Sequence, residues 1–332
     1  MRPPPRVVRR PLQVVVVAVA ALLLVGTLPV TVPLAVLAAL LPSVRSRALR
    51  VLAYAVVLLL LEVLGLVAAT GLFLLGRARD ETLHYVVLRA LLDEAVRFAR
   101  LLGGLQLVTD ELGWSPLDDG VPGSENAMLV LSRHAGPGDS LLLVQTLLDR
   151  DHLRRPRIVL KDLLRLDPLV DLYLGRLPSA FLPSGGDTEQ LVADVARGLG
   201  TQDALLIFPE GGNFTPGRRR RAIEHLRGRG LEDAARKAER LRYLLPPKPG
   251  GVAAALQAAP HADVVFVAHA GLDDLSSPAD LWRHLPLRHP VRLKWQFVDA
   301  DDVPRDRAEQ VDWLFRTWAD MDAWIEQNRP RR

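Results

Sequence analysis

The sequence predicts an α/β fold preceded by N-terminal membrane helices, and three observations carry that expectation. Two apolar stretches, 12–41 and 51–76, crowd the N-terminus. Downstream, short apolar runs alternate with amphipathic helical patterns, as in a mostly parallel or mixed sheet covered by helices on both sides. Of the 332 residues 49% are hydrophobic, yet 24% are charged, which suits a chain that is part lipid-embedded and part water-exposed. Residues 1–79 therefore read as membrane-anchoring segments and 80–332 as a folded domain.

The stretch 51–76 is interrupted by one charge, Glu62, and exceeds the ~20 residues needed to span a bilayer. The stretch 12–41 contains Pro29 and Pro33, so it fits either one kinked span or a hairpin that dips in and returns. Its apolar run is too long for a signal peptide, and a second one follows. Arginines flank each segment (Arg2, Arg6, Arg9 and Arg10 before, Arg45, Arg47 and Arg50 between, Arg77 and Arg79 after), an even distribution that leaves the topology open. Two spans would return the chain to the side of its N-terminus, expected to be cytoplasmic. Glu62 is either a functional group within the span or a protonated or protein-facing structural one.

Residues 80–103 predict a helix with Leu88, Leu91, Leu92 and Val96 on one face. The stretch 104–125 reads as a linker, with turn signals at Asp118-Asp119-Gly120 and Pro122-Gly123. Then follow a buried strand at 127–131, a helix at 140–148, a strand at 157–160, a helix at 163–174 and a short strand at 180–182. A helix at 188–199 presents Leu191, Val192, Val195 and Leu199, and a strand covers 204–208. An Arg-rich helical insertion occupies 218–244, and 264–267 and 291–298 add strands, the last alternating as an edge strand does. A closing helix at 305–327 places Val311, Leu314, Phe315, Trp318, Trp324 and Ile325 on one core-facing stripe.

The chain has no cysteine, which excludes disulfides, thiolate metal sites and a cysteine nucleophile. It also lacks internal repeats, a glycine-rich nucleotide loop and a Gly-x-Ser-x-Gly elbow. His225, His261 and His269 have no ligand-like partners in the sequence and read as structural or surface residues; no metal site is predicted. A net charge of +4, beside a membrane anchor, argues against nucleic acid as a partner.

Two loops carry chemistry. Ser132-Arg133-His134-Ala135-Gly136-Pro137-Gly138-Asp139 follows the strand at 127–131, and strand carboxyl ends are where open α/β sheets build their sites. Across the Gly-Pro-Gly turn Asp139 can fold back onto His134, fixing one tautomer and stabilising the protonated ring, as a general base for a hydroxyl requires. The spacing fits equally a plain turn in which Asp139 caps the helix beginning at 140. The second loop, Phe208-Pro209-Glu210-Gly211-Gly212-Asn213-Phe214, also follows a strand. It fits a backbone site for an anion or hydroxyl, or an ordinary connection.

In this order and spacing the two loops resemble the lysophospholipid acyltransferase family, the 1-acylglycerol-3-phosphate acyltransferase type, whose motifs are His-x4-Asp and Phe-Pro-Glu-Gly-Thr-Arg. Val159-Leu160-Lys161 with Leu164 and Pro168, Tyr243 to Gly251, and Trp313 to Trp324 resemble further blocks of the family, so that the likeness covers about 125–327. The resemblance implies a glycerolipid acyltransferase-like fold and transfer of an acyl group from a thioester of coenzyme A or acyl carrier protein onto a lysolipid hydroxyl. His134 would be the general base, oriented and charged by Asp139, with no covalent acyl-enzyme. Glu210, Gly211 and Gly212 match the acceptor-binding motif, with Gly212 in place of its threonine. Asn213 and Ser184 stand where the family carries phosphate-pairing arginines, and the block Val265 to Ala268 is looser than the family's. Arg218 and Arg219, within the run Arg218 to Arg221, are candidates to compensate by pairing with coenzyme A phosphates or anionic lipid headgroups, and Lys161 and Lys248 are further candidates for phosphate contact. A solvated loop is the plain reading of that run. A membrane-bound enzyme with membrane lipids, a lysolipid acceptor and an acyl-CoA donor as partners is thus expected, with no cofactor and no predicted oligomeric state. A non-catalytic binder of lipid or acyl thioester, and an acyl-thioester hydrolase, remain as alternatives.

Overall fold

The computed structural model describes residues 3–41, 44, 46–109, 126–149, 154–183, 187–273 and 278–330. Arg2, Arg45, Ser184 and the turn signals at 118–120 and 122–123 lie outside the described residues. The chain divides into two compact units: residues 1–106, 160–186 and 278–288 form one, and 107–159, 187–277 and 289–332 the other.

In the first unit, α1 (Arg6–Ala39) and α2 (Arg47–Leu74) are each long and apolar enough to cross a membrane. α1 runs on through Pro11, Pro29 and Pro33, so 12–41 is one helix and not a hairpin. The Thr27 and Thr31 hydroxyls donate back to the carbonyls of Leu23 and Thr27 at 2.7 and 3.0 Å, which satisfies both hydroxyls on an apolar surface. Only 6% and 11% of the most apolar windows of α1 and α2 are buried. Apolar surface of this extent marks a contact with lipid or a partner, and the two helices point to membrane association. Glu62 keeps one buried carboxylate oxygen without a hydrogen bond among the described residues.

α3 (Glu81–Gly103) starts at Asp80, whose carboxylate accepts the Leu83 amide at 3.1 Å, and stops at Gly104, which takes the left-handed conformation with φ 71°. Its buried positions include Leu92 and Val96 of the predicted stripe, with His84 and Tyr85 beside them.

The helix expected at 163–174 is instead a 3₁₀ turn, Asp162–Leu166, and a π turn, Val170–Leu174. Pro168 is the reason: it drives the preceding residue out of the helical region, and Asp167 is extended with ψ 126°. Asp167 then accepts the Val170 amide at 2.9 Å and restarts the turn. The segment grips both long helices. Asp171 is fully buried and pairs with Arg9 at 2.6 Å and Arg10 at 3.0 Å. The Tyr173 hydroxyl donates to the Gly65 carbonyl at 2.7 Å, where a Cβ on Gly65 would lie 2.3 Å from Leu169. Asp171→Ala leaves Arg9 buried without its counter-charge, so the variant should lose about 3–5 kcal/mol of stability. Denaturant unfolding of the full chain in detergent measures this, with proteolysis within 160–186 as the structural readout.

The sheet has seven strands among the described residues: β1 (Leu107–Thr109), β2 (Met128–Ser132), β3 (Arg155–Lys161), β4 (Ala180–Leu182), β5 (Asp203–Ile207), β6 (Asp263–Ala270) and β7 (Val291–Val298), in the order β1-β7-β6-β2-β5-β3-β4. β1 is parallel to β7, and β6, β2, β5 and β3 are mutually parallel; β7 runs antiparallel to β6. β7 is therefore an interior strand, not the expected edge. Its alternation reflects one-sided burial of Val291, Leu293 and Trp295, and its outer partner β1 is only three residues long, inside the stretch read as linker.

In the second unit, α4 (Pro137–Leu148) and α5 (Thr188–Arg197) flank the sheet as predicted. The insertion is two helices, α6 (Pro216–Gly228) and α7 (Glu232–Arg240), because Gly230 takes a positive φ of 73° between them. α8 (Pro249–Ala258) was not predicted, since its Pro-Gly-Gly opening reads as a turn; proline at the first helical position starts it. α9 (Pro278–His284), in the first unit, was not predicted either. α10 (Arg307–Asn328) buries Leu314, Phe315, Trp318, Trp324 and Ile325 of the predicted stripe, with Val311 half-buried. One core joins the inner strands, α5, α8 and α10. From α10, Asp322 accepts the amides of Arg242 and Tyr243 at 2.8 and 2.7 Å, and the Trp318 indole donates to the Leu245 carbonyl at 3.1 Å. The closing helix thus holds the loop that leads to Lys248.

Candidate active site

β2 and β5 are parallel neighbours with Leu131 opposite Ile207, so the loops that leave their carboxyl ends emerge side by side. The two sequence motifs meet there. The His134 amide donates to Glu210 Oε1 at 2.9 Å, and the His134 carbonyl accepts the Phe214 amide at 2.8 Å. The His134 ring packs on Phe208 with centroids 4.6 Å apart.

His134 Nδ1 lies 3.0 and 3.1 Å from the two oxygens of Asp139. Asp139 also accepts the amides of Ala135 at 2.7 Å, Gly136 at 3.1 Å and Ser140 at 2.6 Å. The two readings of the spacing therefore hold together, since one carboxylate caps the start of α4 and clasps the imidazole. Burial pushes the Asp139 carboxyl up, but the bonds from His134 and the backbone amides prevail and hold it below the usual carboxylate range. An ionised Asp139 selects the tautomer with hydrogen on Nδ1 and leaves Nε2 as a base. Nε2 makes no hydrogen bond among the described residues, and the side chain keeps 21% of its surface open.

Glu210 was expected to bind the acceptor. It is instead 3% exposed, with Oε1 on the His134 amide and Oε2 on the Leu245 amide at 2.9 Å. Both oxygens hold the His134 loop to the loop before α8, so the residue braces the site from within. Burial raises its carboxyl to about 7, against the pull of Arg133 and the two amides.

Gly211 has φ 69°, and a Cβ there would sit 2.7 Å from Lys248 Nζ, so the lysine side chain lies directly over the glycine. Arg218 Nη1 donates to the Asn213 carbonyl at 3.0 Å and lies 3.4 Å from where a Cβ of Gly212 would be. Gly211, Gly212, Lys248 and Arg218 are thus brought together, and neither cation is paired with a carboxylate among the described residues. Arg219 is not part of this group: its guanidinium donates to the carbonyls of Leu241 and Glu239 at the end of α7. Lys161 is exposed at the end of β3 and belongs to the other compact unit.

Sequence reasoning missed the layer beneath the pair. Arg133 is fully buried and donates to Asp273 at 2.6 and 3.2 Å and to the His269 carbonyl at 2.8 Å. His269, read from the sequence as a structural or surface residue, is 1% exposed with Nε2 3.7 Å from Asp139 Oδ2. Burial, with Arg133 nearby, lowers His269 to about 4. A titratable residue inside the otherwise apolar run Val264 to Ala270 of β6 was the available signal.

Glu210 and His269 give opposed pH dependences. The raised Glu210 contributes stability that is present below about 4.5 and lost as pH rises through about 7. The depressed His269 contributes stability that is present above about 6.5 and lost as pH falls through about 4. Each is worth roughly 3 kcal/mol, so the two offset one another between them. Glu210→Gln removes one slope. Its stability should fall relative to the parent's on acidification from pH 6.5 to 4.5, as denaturant unfolding of both at each pH will register.

Residues 118–270 match the family model described as Acyltransferase. The chain carries an Acyltransferase-family domain of the lysophospholipid and 1-acylglycerol-3-phosphate acyltransferase kind, and it is an acyltransferase. No curated relative and no solved structure matches it. An acyl donor and a lipid acceptor are, in general terms, its substrates.

Proposed function

We propose that this enzyme esterifies the free hydroxyl of a lysophospholipid with the acyl group of acyl-CoA, using His134 as general base and Asp139 to orient and charge it. The observation that carries the reading is the clasp of Nδ1 by a buried carboxylate at 3.0 and 3.1 Å, which turns Nε2 outward as the only basic atom of the ring. Nε2 takes the proton of the acceptor hydroxyl as its oxygen attacks the thioester carbonyl carbon. The tetrahedral intermediate collapses, the carbon–sulfur bond breaks, and the proton passes from Nε2 to the thiolate. Asp139 stabilises the imidazolium in between. Gly211, Gly212, Lys248 and Arg218 receive the phosphate of the acceptor. Arg218 reaches back from α6 to residue 213 and stands in for the arginine missing there. α1 and α2 anchor the enzyme integrally in the cell membrane with the catalytic domain on the cytoplasmic side.

Acyl transfer in lipid nanodiscs tests the reading, with labelled acyl-CoA, a panel of lysolipids and His134→Ala alongside. Transfer to a phosphate-bearing lysolipid that vanishes in the variant supports it. Release of free fatty acid at one rate with and without acceptor would replace it with thioester hydrolysis.

A further inference from the structure

Asp139 is flanked by two imidazoles. His134 takes one side, at hydrogen-bond distance. The other is faced by His269 Nε2, 3.7 Å from Oδ2, beyond the range of a formed hydrogen bond. His269 is on β6, directly opposite Leu293 of β7, and its two ring nitrogens are buried without a well-formed hydrogen bond among the described residues, with the Asp139 carboxylate and the Arg133 backbone as their polar neighbours. Leaving such atoms unpaired is costly, and a leucine of similar volume would fill the same space without that cost.

The charged groups around the ring fix what it can do. Arg133, from the loop after β2, binds the His269 carbonyl and is matched by Asp273. Asp139, from α4, is the carboxylate nearest the ring nitrogens. From β7, Leu293 shares its face, while Arg292 and Lys294 alternate to the other. A ring in these surroundings stays neutral at working pH, since burial and Arg133 oppose its protonation.

We infer that His269 is a positioning residue for the His134–Asp139 pair: its neutral imidazole offers Nε2–H as a long-range, electrostatic donor to the rear of the Asp139 carboxylate and limits the negative charge that carboxylate presents to His134. This rests on the proposed role of His134 as base. Without the rear donor, Asp139 bears more heavily on His134, and the pair holds its proton to higher pH.

The test compares His269→Leu, which keeps volume but has no donor, with His269→Gln, whose side-chain amide reaches the place of Nε2. Both are assayed as full chains in nanodiscs. The leucine variant should lose roughly 3-fold to 10-fold in kcat, the worth of a weak polar contact, with KM for both substrates within about twofold. The acid limb of its kcat/KM profile should move to higher pH, and the glutamine variant should recover both. Imidazole ¹⁵N NMR of His134 across the same pH range reads the effect without turnover, and should show the shift in the leucine variant alone. Equal losses in both variants that track the folded fraction, with the acid limb and the His134 resonances unmoved, overturn the inference and leave His269 as packing. Full activity of His134→Ala would instead overturn the proposed base, an outcome that the NMR comparison keeps separate.

Discussion

His134→Ala is expected to lower kcat by about 10²–10⁴-fold, the range that a positioned general base supplies, while KM and membrane association change little. Chemistry and folding are expected to separate at this residue. Its bonds to Glu210 and Phe214 are made by the main chain, so alanine retains them. Asp139 keeps the amides of Ala135, Gly136 and Ser140, so its buried charge is not abandoned. What goes is a half-buried ring stacked on Phe208, worth about 1 kcal/mol. Single-turnover transfer in nanodiscs, with thermal unfolding of the same sample, measures both effects. Wild-type turnover in the variant would remove His134 from the mechanism, and a collapse of stability would mean that the cross-bonded loops depend on the ring.

Features that reside in a few consecutive residues were legible in the sequence, and those that depend on distant partners were not. The His134 and Phe208 to Asn213 loops announced themselves because a strand, a turn and a reactive side chain are adjacent in the chain. Their meeting follows from β2 pairing with β5, which the alternation of strands and helices implies. The role of Glu210 was hidden because one of its partners, Leu245, comes 35 residues later, from a loop held by Asp322 and Trp318 of α10. Arg219 reads as a free cation beside Arg218, yet the Gly230 turn folds α7 back and supplies carbonyls that occupy it. The break at 167–168 is carried by Asp167-Pro168, a local signal that the helix expected over 163–174 did not take into account.

Asp139→Asn should be as damaging to turnover as loss of the histidine, by about 10³–10⁴-fold, through a wrong tautomer. A carboxylate accepts from Nδ1–H and leaves Nε2 bare, whereas an amide that turns its NH₂ toward His134 makes Nδ1 the acceptor and moves the proton to Nε2. That ring cannot take a proton from a substrate. Unlike His134→Ala, this change also strikes the fold, because both Asp139 oxygens receive backbone N–H groups. Either orientation of the asparagine sets its NH₂ against one of them, at a cost of about 1–3 kcal/mol for the buried donor left unsatisfied. The two effects are separable by pH. Because the Asp139 carboxyl is held below its ordinary value, its contribution to stability is fully present above the unfolded value near 4 and lost as pH falls through the folded one. The stability gap between parent and variant should be constant above about pH 5 and narrow in stronger acid, while the turnover gap persists wherever the parent is active. Equal activity of the two proteins at neutral pH would mean that the carboxylate serves only to cap α4, and that His134 finds its tautomer without it.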